Sequence, residues 1–292
     1  MSPLFVLQNI LFGIFVGSLY GVSAVGLALV FGVMRVLNIA HGELMMIAGY
    51  VTFFAFELFG IDPFLSLIIS IPLLFLLGLL LDRLVYRRIH TQSGETKLKN
   101  SLLVSFGLVL ILQALAIQFF TADERAIQTS YSGQGLNMGG LVLPYTRLIS
   151  LFITLLTIGG LHFFLQRTMI GKAIRAASED PEAADLAGIN IRRYYMGTMA
   201  LSAALAGLAG SLVAIGYGVT PTIGLSWLLR SLIVVVLAGT GSIFGTFSAG
   251  ILLGVVEAIS GMVFGSTTRE IVGLIMFIAI LLIRPQGLFG KK

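Results

Sequence analysis

Cysteine is absent from the 292 residues, so disulfides, thiolate metal sites and cysteine nucleophiles are excluded. Histidine is almost as scarce: His41, His90 and His162 are the only three, and without an H-E-x-x-H spacing they offer no pattern for a transition-metal centre. No metal and no other cofactor is expected. Charged residues make up only 11% of the chain, against roughly 25% in an ordinary soluble domain. That rules out a soluble enzyme. Nor is there a G-x-x-x-x-G-K-[ST] loop, since Gly171-Lys172 is followed by Ala173 with no glycine at the required offset before it. The chain therefore cannot cradle and hydrolyse ATP itself.

What remains is apolar. Hydrophobic residues are 57% of the sequence and the mean hydropathy is +1.02, with runs near the ~20 residues that cross ~30 Å of hydrocarbon. Candidate spans are 4–31, 42–59, 64–82, 101–120, 147–166, 195–217, 228–240, 246–264 and 271–284. The expected class is an all-α, polytopic integral membrane protein of about eight or nine helices. A β-barrel is excluded, because stretches such as Leu102 to Leu112 and Ile271 to Ile283 are apolar all round and do not alternate. The N-terminus has no basic stretch before its apolar run, which is too long for a signal peptide, so the first span is expected to stay in the protein.

A formal charge of +5 would suit nucleic acid, but in a membrane protein basic residues collect in cytoplasmic loops; no nucleic-acid partner is expected. With the N-terminus outside, the basic loops 83–100 and 167–193 lie inside, leaving only Arg125, Arg147, Arg230 and Arg269 outside. The expected topology is N-terminus out and C-terminus cytoplasmic. Tyr217 and Trp227 read as interfacial anchors, and the external loop 121–146 reads as polar and flexible.

Small residues four apart at Gly13, Gly17 and Gly21, at Ala203, Gly207 and Ser211, and at Gly250 and Gly254 put close-packing seams on single helix faces. Polar residues interrupt the apolar pattern at Arg35, Asn38, His41 and Glu43. Ionisable groups at membrane depth are costly unless they pair or face a cavity. These residues either satisfy the backbone ends of a broken helix or line a route. Spacing of two puts His41 and Glu43 on different faces, so they are not expected to pair. Gly239, Thr240, Gly241 and Ser242 form a comparable Gly-rich break in the second half, a pattern associated with transport sites at a repeat interface. Glu257 is a third candidate for the route, with pairing to a neighbouring helix as the alternative. Ser105, Gln113 and Gln118 are suited to bonds between helices.

Between Gln166 and Arg193, Asp180 is placed to cap a short helix over 181–187 that begins at Pro181, has Glu182 in its first turn and ends before Gly188. The run Glu182-Ala183-Ala184-Asp185-Leu186-Ala187-Gly188 resembles the E-A-A-x-x-x-G loop of ABC importer permeases. The family's downstream I-x-L-P is missing, a departure seen in the branched-chain amino acid subgroup. Three further stretches point the same way: Leu37 to Glu43 with Gly49-Tyr50, Val236 to Gly245, and Arg284 to Gly290. Together they resemble the smaller, H-type permease subunit of branched-chain amino acid ABC importers.

The resemblance implies one transmembrane permease domain over 1–292, with a cytoplasmic coupling loop at 167–194 in which Glu179, Asp180, Glu182, Ala183, Ala184 and Gly188 meet the ATPase. It implies a bacterial inner-membrane location and four kinds of partner: a homologous M-type permease subunit, two ATP-binding subunits, an external substrate-binding protein and membrane lipid. Leucine, isoleucine and valine are the expected cargo, with urea or short amides as the alternative. An ion-coupled secondary transporter would have to rely on Glu257 and Glu43, and a membrane hydrolase would need a companion for His162 that the sequence does not supply.

Overall fold

The computed structural model describes residues 2–92, 94–239, 242–265 and 267–290. All nine apolar stretches are helical, with boundaries shifted by a few residues: α1 (Pro3–Met34), α2 (His41–Phe59), α3 (Leu67–Leu84), α4 (Gly94–Phe120), α5 (Tyr145–Arg167), α8 (Ile191–Tyr217), α9 (Ile223–Ala238), α10 (Ile243–Phe264) and α11 (Thr268–Ile283). Between α5 and α8 lie two further helices, α6 (Met169–Glu179) and α7 (Pro181–Leu186). Among the described residues, seven helices are long and apolar enough to cross a membrane. The 16-residue α9 and α11 extend only about 24 Å at 1.5 Å per residue.

The chain divides into two packed units. One comprises Met1–Val25, Gln128–Ile158 and Leu229–Lys292. Here the predicted glycine seam of α1 meets that of α10. A methyl group at Gly17 would strike the carbonyl of Gly250 and the Cα of Ile251, and one at Gly13 the carbonyl of Gly254 and the Cα of Val255. Backbones at this separation gain dispersion contacts that larger side chains would forbid. The loop expected to be flexible instead contains a hairpin, β1 (Gly135–Met138) antiparallel to β2 (Leu141–Pro144). Its two-residue turn, Gly139-Gly140, has φ of 60° and 96°, as the right-handed twist of a tight hairpin requires. Gln8 fastens it to α1 by two bonds to Val142, donating to its carbonyl at 2.6 Å and accepting from its amide at 2.9 Å.

The second unit comprises Gly26–Ile127 and Gly159–Leu228. Its centre is α8, buried along most of its length between α2 and α3. The Ala203, Gly207 and Ser211 face lies on α3: Ala203 adjoins Gly78, Gly207 adjoins Leu74, and Ser211 donates to Ser70 at 2.8 Å. Elsewhere the apolar surface is outward. Leu103, Ile111 and Phe119 on α4 are exposed, as helices facing lipid require. Trp227 is no interfacial anchor: it is buried in α9, with its ring 5.7 Å from that of Tyr217. Apolar neighbours cover its large ring more completely than an interface would.

Candidate functional site

The break between α1 and α2 is built from local backbone geometry. Arg35 takes a left-handed φ of 52°, which costs an L-residue energy and ends α1; helix resumes only at His41. The intervening segment is satisfied from other elements. Leu37 N–H donates to Ser101 Oγ at 3.3 Å, and Ser105 Oγ, which also lies 3.1 Å from the Leu102 carbonyl of its own helix, lies 3.3 Å from the Leu37 carbonyl, a contact to the non-helical segment rather than to another helix. The Tyr86 hydroxyl donates to Asn38 Oδ1 at 2.9 Å from a 3-10 turn over Tyr86–Arg88. Burial drives the Tyr86 phenol well above its ordinary pKa, against a smaller opposing pull from Ser105, so the hydroxyl remains a donor.

Asn38, His41 and Glu43 are all buried. His41 Nδ1 lies 3.4 Å from Ser202 Oγ near the middle of α8, and its ring abuts Gly26 of α1. The three residues are all interior, Asn38 and His41 with separate partners in Tyr86 and Ser202, and neither an ion pair nor a hydrogen bond between His41 and Glu43 is found among the described residues. What the sequence did not reveal is the element facing them. The start of α9 lies on the start of α2, with Gly224 against Gly42 and the Glu43 carboxylate. The only signal for it was Gly224 itself, one of 35 glycines.

The second break, at Gly239 and Ser242, belongs to the other unit. Thr240 and Gly241 lie outside the described residues. Gly239 has φ 75°, and a methyl group there would collide with the Gln286 carbonyl. Ser242 caps α10, accepting from the Gly245 amide at 3.1 Å. The C-terminal stretch continues the contact: Leu288 N–H donates to the Leu237 carbonyl at 2.7 Å and Phe289 N–H to that of Ala238 at 3.0 Å. Two motifs singled out separately in the sequence are therefore one structural feature. Glu257 is buried and paired, accepting from the Tyr20 hydroxyl at 2.9 Å with Arg230 Nε at 3.8 Å; Arg230 also donates to Glu270 at 2.9 Å. Tyr20 and Arg230 were not anticipated, being single polar residues in apolar runs. Their presence favours the pairing alternative for Glu257.

In the loop after α5, α7 forms as its residues dictate. Asp180 Oδ1 accepts from the amides of Glu182 and Ala183, both at 3.0 Å, and Pro181 opens the helix where its missing N–H costs nothing. At the other end Gly188 N–H donates to Asp185 at 2.9 Å and Ile189 N–H to Ala184 at 3.0 Å, a Schellman closure with Gly188 at φ 83°. Before it, the unforeseen α6 is capped by Thr168, whose Oγ1 accepts from Gly171 N–H at 3.0 Å. Glu179 ends α6 and is exposed, as are Glu182 and Ala183. Ala184 points the other way and is 5% exposed, whereas Leu186 is 90% exposed. The outward apolar surface is thus Ala183, Leu186 and Ala187. Beside α7 a recess of about 750 Å³ is lined by Arg87, His90, Glu182, Asp185, Arg192 and Tyr195.

Seven long apolar helices among the described residues, with a buried polar break and an exposed, doubly capped helix in a polar loop, define a polytopic all-α membrane protein. Residues 9–283 match the family described as branched-chain amino acid transport system / permease component, and the chain belongs to that family. It is accordingly a transport component and not an enzyme. It is 34% identical to the high-affinity branched-chain amino acid transport system permease protein BraD of Pseudomonas aeruginosa, across 98% of this chain and 96% of that protein. To the permease protein LivH of Escherichia coli, of the same description, it is 30% identical across 99% and 96%. The fructose import permease protein FrcC of Rhizobium meliloti is 27% identical across 84% and 69%. Among solved structures, PsaBC from Streptococcus pneumoniae in complex with Fab shares the fold, with a TM-score of 0.52 at 14% identity over 96% of this chain and 92% of that one.

Proposed function

We propose that the chain is the transmembrane permease subunit of an ATP-driven ABC importer that carries leucine, isoleucine and valine across the bacterial inner membrane by alternating access. The observation that carries this reading is the near full-length match to permeases named for high-affinity branched-chain amino acid transport. The chain acts as one permease domain over 1–292, with its N-terminus outside and C-terminus in the cytoplasm. Its partners are a homologous M-type permease subunit, two ATP-binding subunits and an external binding protein. Glu179 to Gly188 form the coupling element of the 167–194 loop. The exposure of Leu186 and Ala183 supports this, because a six-residue helix stabilised by its own caps offers a small rigid knob to an ATPase cleft. Asn38, His41 and Glu43 shape the break that opens the route, while within the other unit Ser242 caps α10 and Glu257 pairs with Tyr20 and Arg230.

Uptake of labelled leucine into proteoliposomes, with the four partner types supplied and ATP enclosed, tests the proposal. Saturable uptake that requires both ATP and loaded binding protein supports it. Uptake driven by an ion gradient without ATP overturns it, and a functional importer containing two copies of this chain and no second permease overturns the heterodimer.

A further inference from the structure

Glu43 is 1% exposed, and its Oε2 has no hydrogen-bond partner among the described residues. A buried polar atom left in that condition calls for an explanation. Helix capping does not supply it. Glu43 occupies the third position of α2, from which a glutamate can reach back to the amide at the helix start, yet its Oε2 accepts no such bond among the described residues. Ion pairing within the chain does not supply it either, since the salt bridges found among the described residues join His90 to Asp82, Lys99 to Glu95, and Arg230 to Glu257 and Glu270.

The surroundings indicate what is missing. The carboxylate lies against Gly224 in the first turn of α9, and Gly224 is also part of the wall of a small cavity. Met45, Gly49, Val213, Val219 and Trp227 are among the other residues that line it. In this conformation the cavity has room for about one water molecule, about 10 Å³. Gly224 therefore stands between the Glu43 carboxylate, whose Oε1 it approaches, and a void walled by aliphatic, aromatic and glycine residues. Glycine on both sides of the α2 and α9 contact lets the backbones of the two helix starts approach closely, with Leu228 and the Glu43 side chain beside them.

Resting on the reading of the chain as an amino-acid permease, we propose that Glu43 binds the α-ammonium of the amino acid in transit, and that the adjoining cavity receives its aliphatic side chain when the starts of α2 and α9 separate. An ammonium carries three donors and the charge that a buried carboxylate lacks, and charge-assisted bonds of this kind are the stronger ones. The aliphatic side chains of Met45, Val213 and Val219 and the ring of Trp227 suit a branched aliphatic group. Urea and short amides carry no cation and would leave the carboxylate uncompensated.

The test uses the purified transmembrane complex with its ATPases and no binding protein, so that selectivity belongs to the membrane route. Binding of leucine is compared with binding of 4-methylpentanoate, which is leucine without its ammonium. The wild type is expected to prefer leucine about tenfold or more, as a charge-assisted bond implies. Glu43→Gln is expected to erase that preference, and Glu43→Asp to retain part of it. A wild type that binds the two compounds equally, or binds no leucine at millimolar concentration, overturns the inference, as does a Glu43→Gln complex whose preference is unchanged. Should Glu43→Gln fail to assemble, the wild-type ratio and Glu43→Asp decide. The functional reading fails separately, by a wild-type importer that with its binding protein moves no branched-chain amino acid.

Discussion

The amide of Leu288 donates to the carbonyl of Leu237 at 2.7 Å, and this bond fastens the C-terminal segment across the end of α9. Gly239 makes the approach possible, since it combines a positive φ with backbone on the side where a Cβ would project. Gly239→Val is therefore expected to destabilise the protein by about 1–3 kcal/mol, from the left-handed backbone and the steric conflict together. Thermal unfolding in detergent checks it; a Tm equal to that of the wild type would show that the segment is not held there.

Glu257 is expected to matter for stability more than for chemistry. Its removal takes away one carboxylate beside Arg230 and the acceptor that Glu257 offers the Tyr20 hydroxyl. Glu257→Ala should cost about 1–3 kcal/mol, as for a buried donor losing its partner, and uptake per folded molecule should stay near the wild-type value. A well-folded Glu257→Gln protein that transports nothing would instead give the carboxylate a direct role in the route.

Tyr86 holds Asn38 and through it the non-helical segment before α2. Tyr86→Phe should lower stability by about 0.5–1.5 kcal/mol and reduce uptake by loosening the break. The raised phenol pKa also sets a pH dependence. The folded state holds its proton more tightly than the unfolded state, so this contribution is complete below a pH of about 10 and is lost as pH rises through the higher folded value. Unfolding of wild type and Tyr86→Phe compared between pH 8 and 11 should show the gap closing toward the alkaline end; a gap independent of pH would contradict the assignment.

The coupling helix allows two substitutions with opposite signatures. Leu186→Ala removes an exposed side chain, so abundance should stay normal while uptake and the ATPase response to loaded binding protein fall together. Ala184→Trp places a large ring where the residue is 5% exposed, so it should lower abundance before coupling can be read. Immunoblotted membrane levels alongside ATPase assays separate them. Normal coupled ATPase activity in a Leu186→Ala importer would mean that this side chain is not part of the docking surface.

Gly188→Val should be intermediate. Its φ of 83° costs a Cβ-bearing residue about 1 kcal/mol or more, but open space surrounds the position, so only the end of α7 is disturbed. Insertion should be normal and uptake reduced several-fold or more. Unimpaired uptake would mean that the Schellman closure is dispensable.

Much of this architecture could be read from residue order alone. Spans follow from apolar length, since hydrocarbon leaves the backbone few alternatives to helix. The α7 caps follow from Asp180, Pro181 and Gly188, whose preferences act within a few bonds. The seams follow from small residues one turn apart, although Gly13 and Gly17 did not say that Gly254 and Gly250 would meet them. Local rules have no term for partners distant in the chain. For that reason the inward turn of Ala184, the burial of Trp227, the bond from Tyr20 to Glu257 and the joining of residues 286–289 to the end of α9 appeared only with the packed helices. The same holds for Glu43. Its position near a helix start was plain from the sequence, but the burial of its unpartnered Oε2 and the approach of its Oε1 to Gly224 depend on two segments separated by most of the chain and held together by close packing.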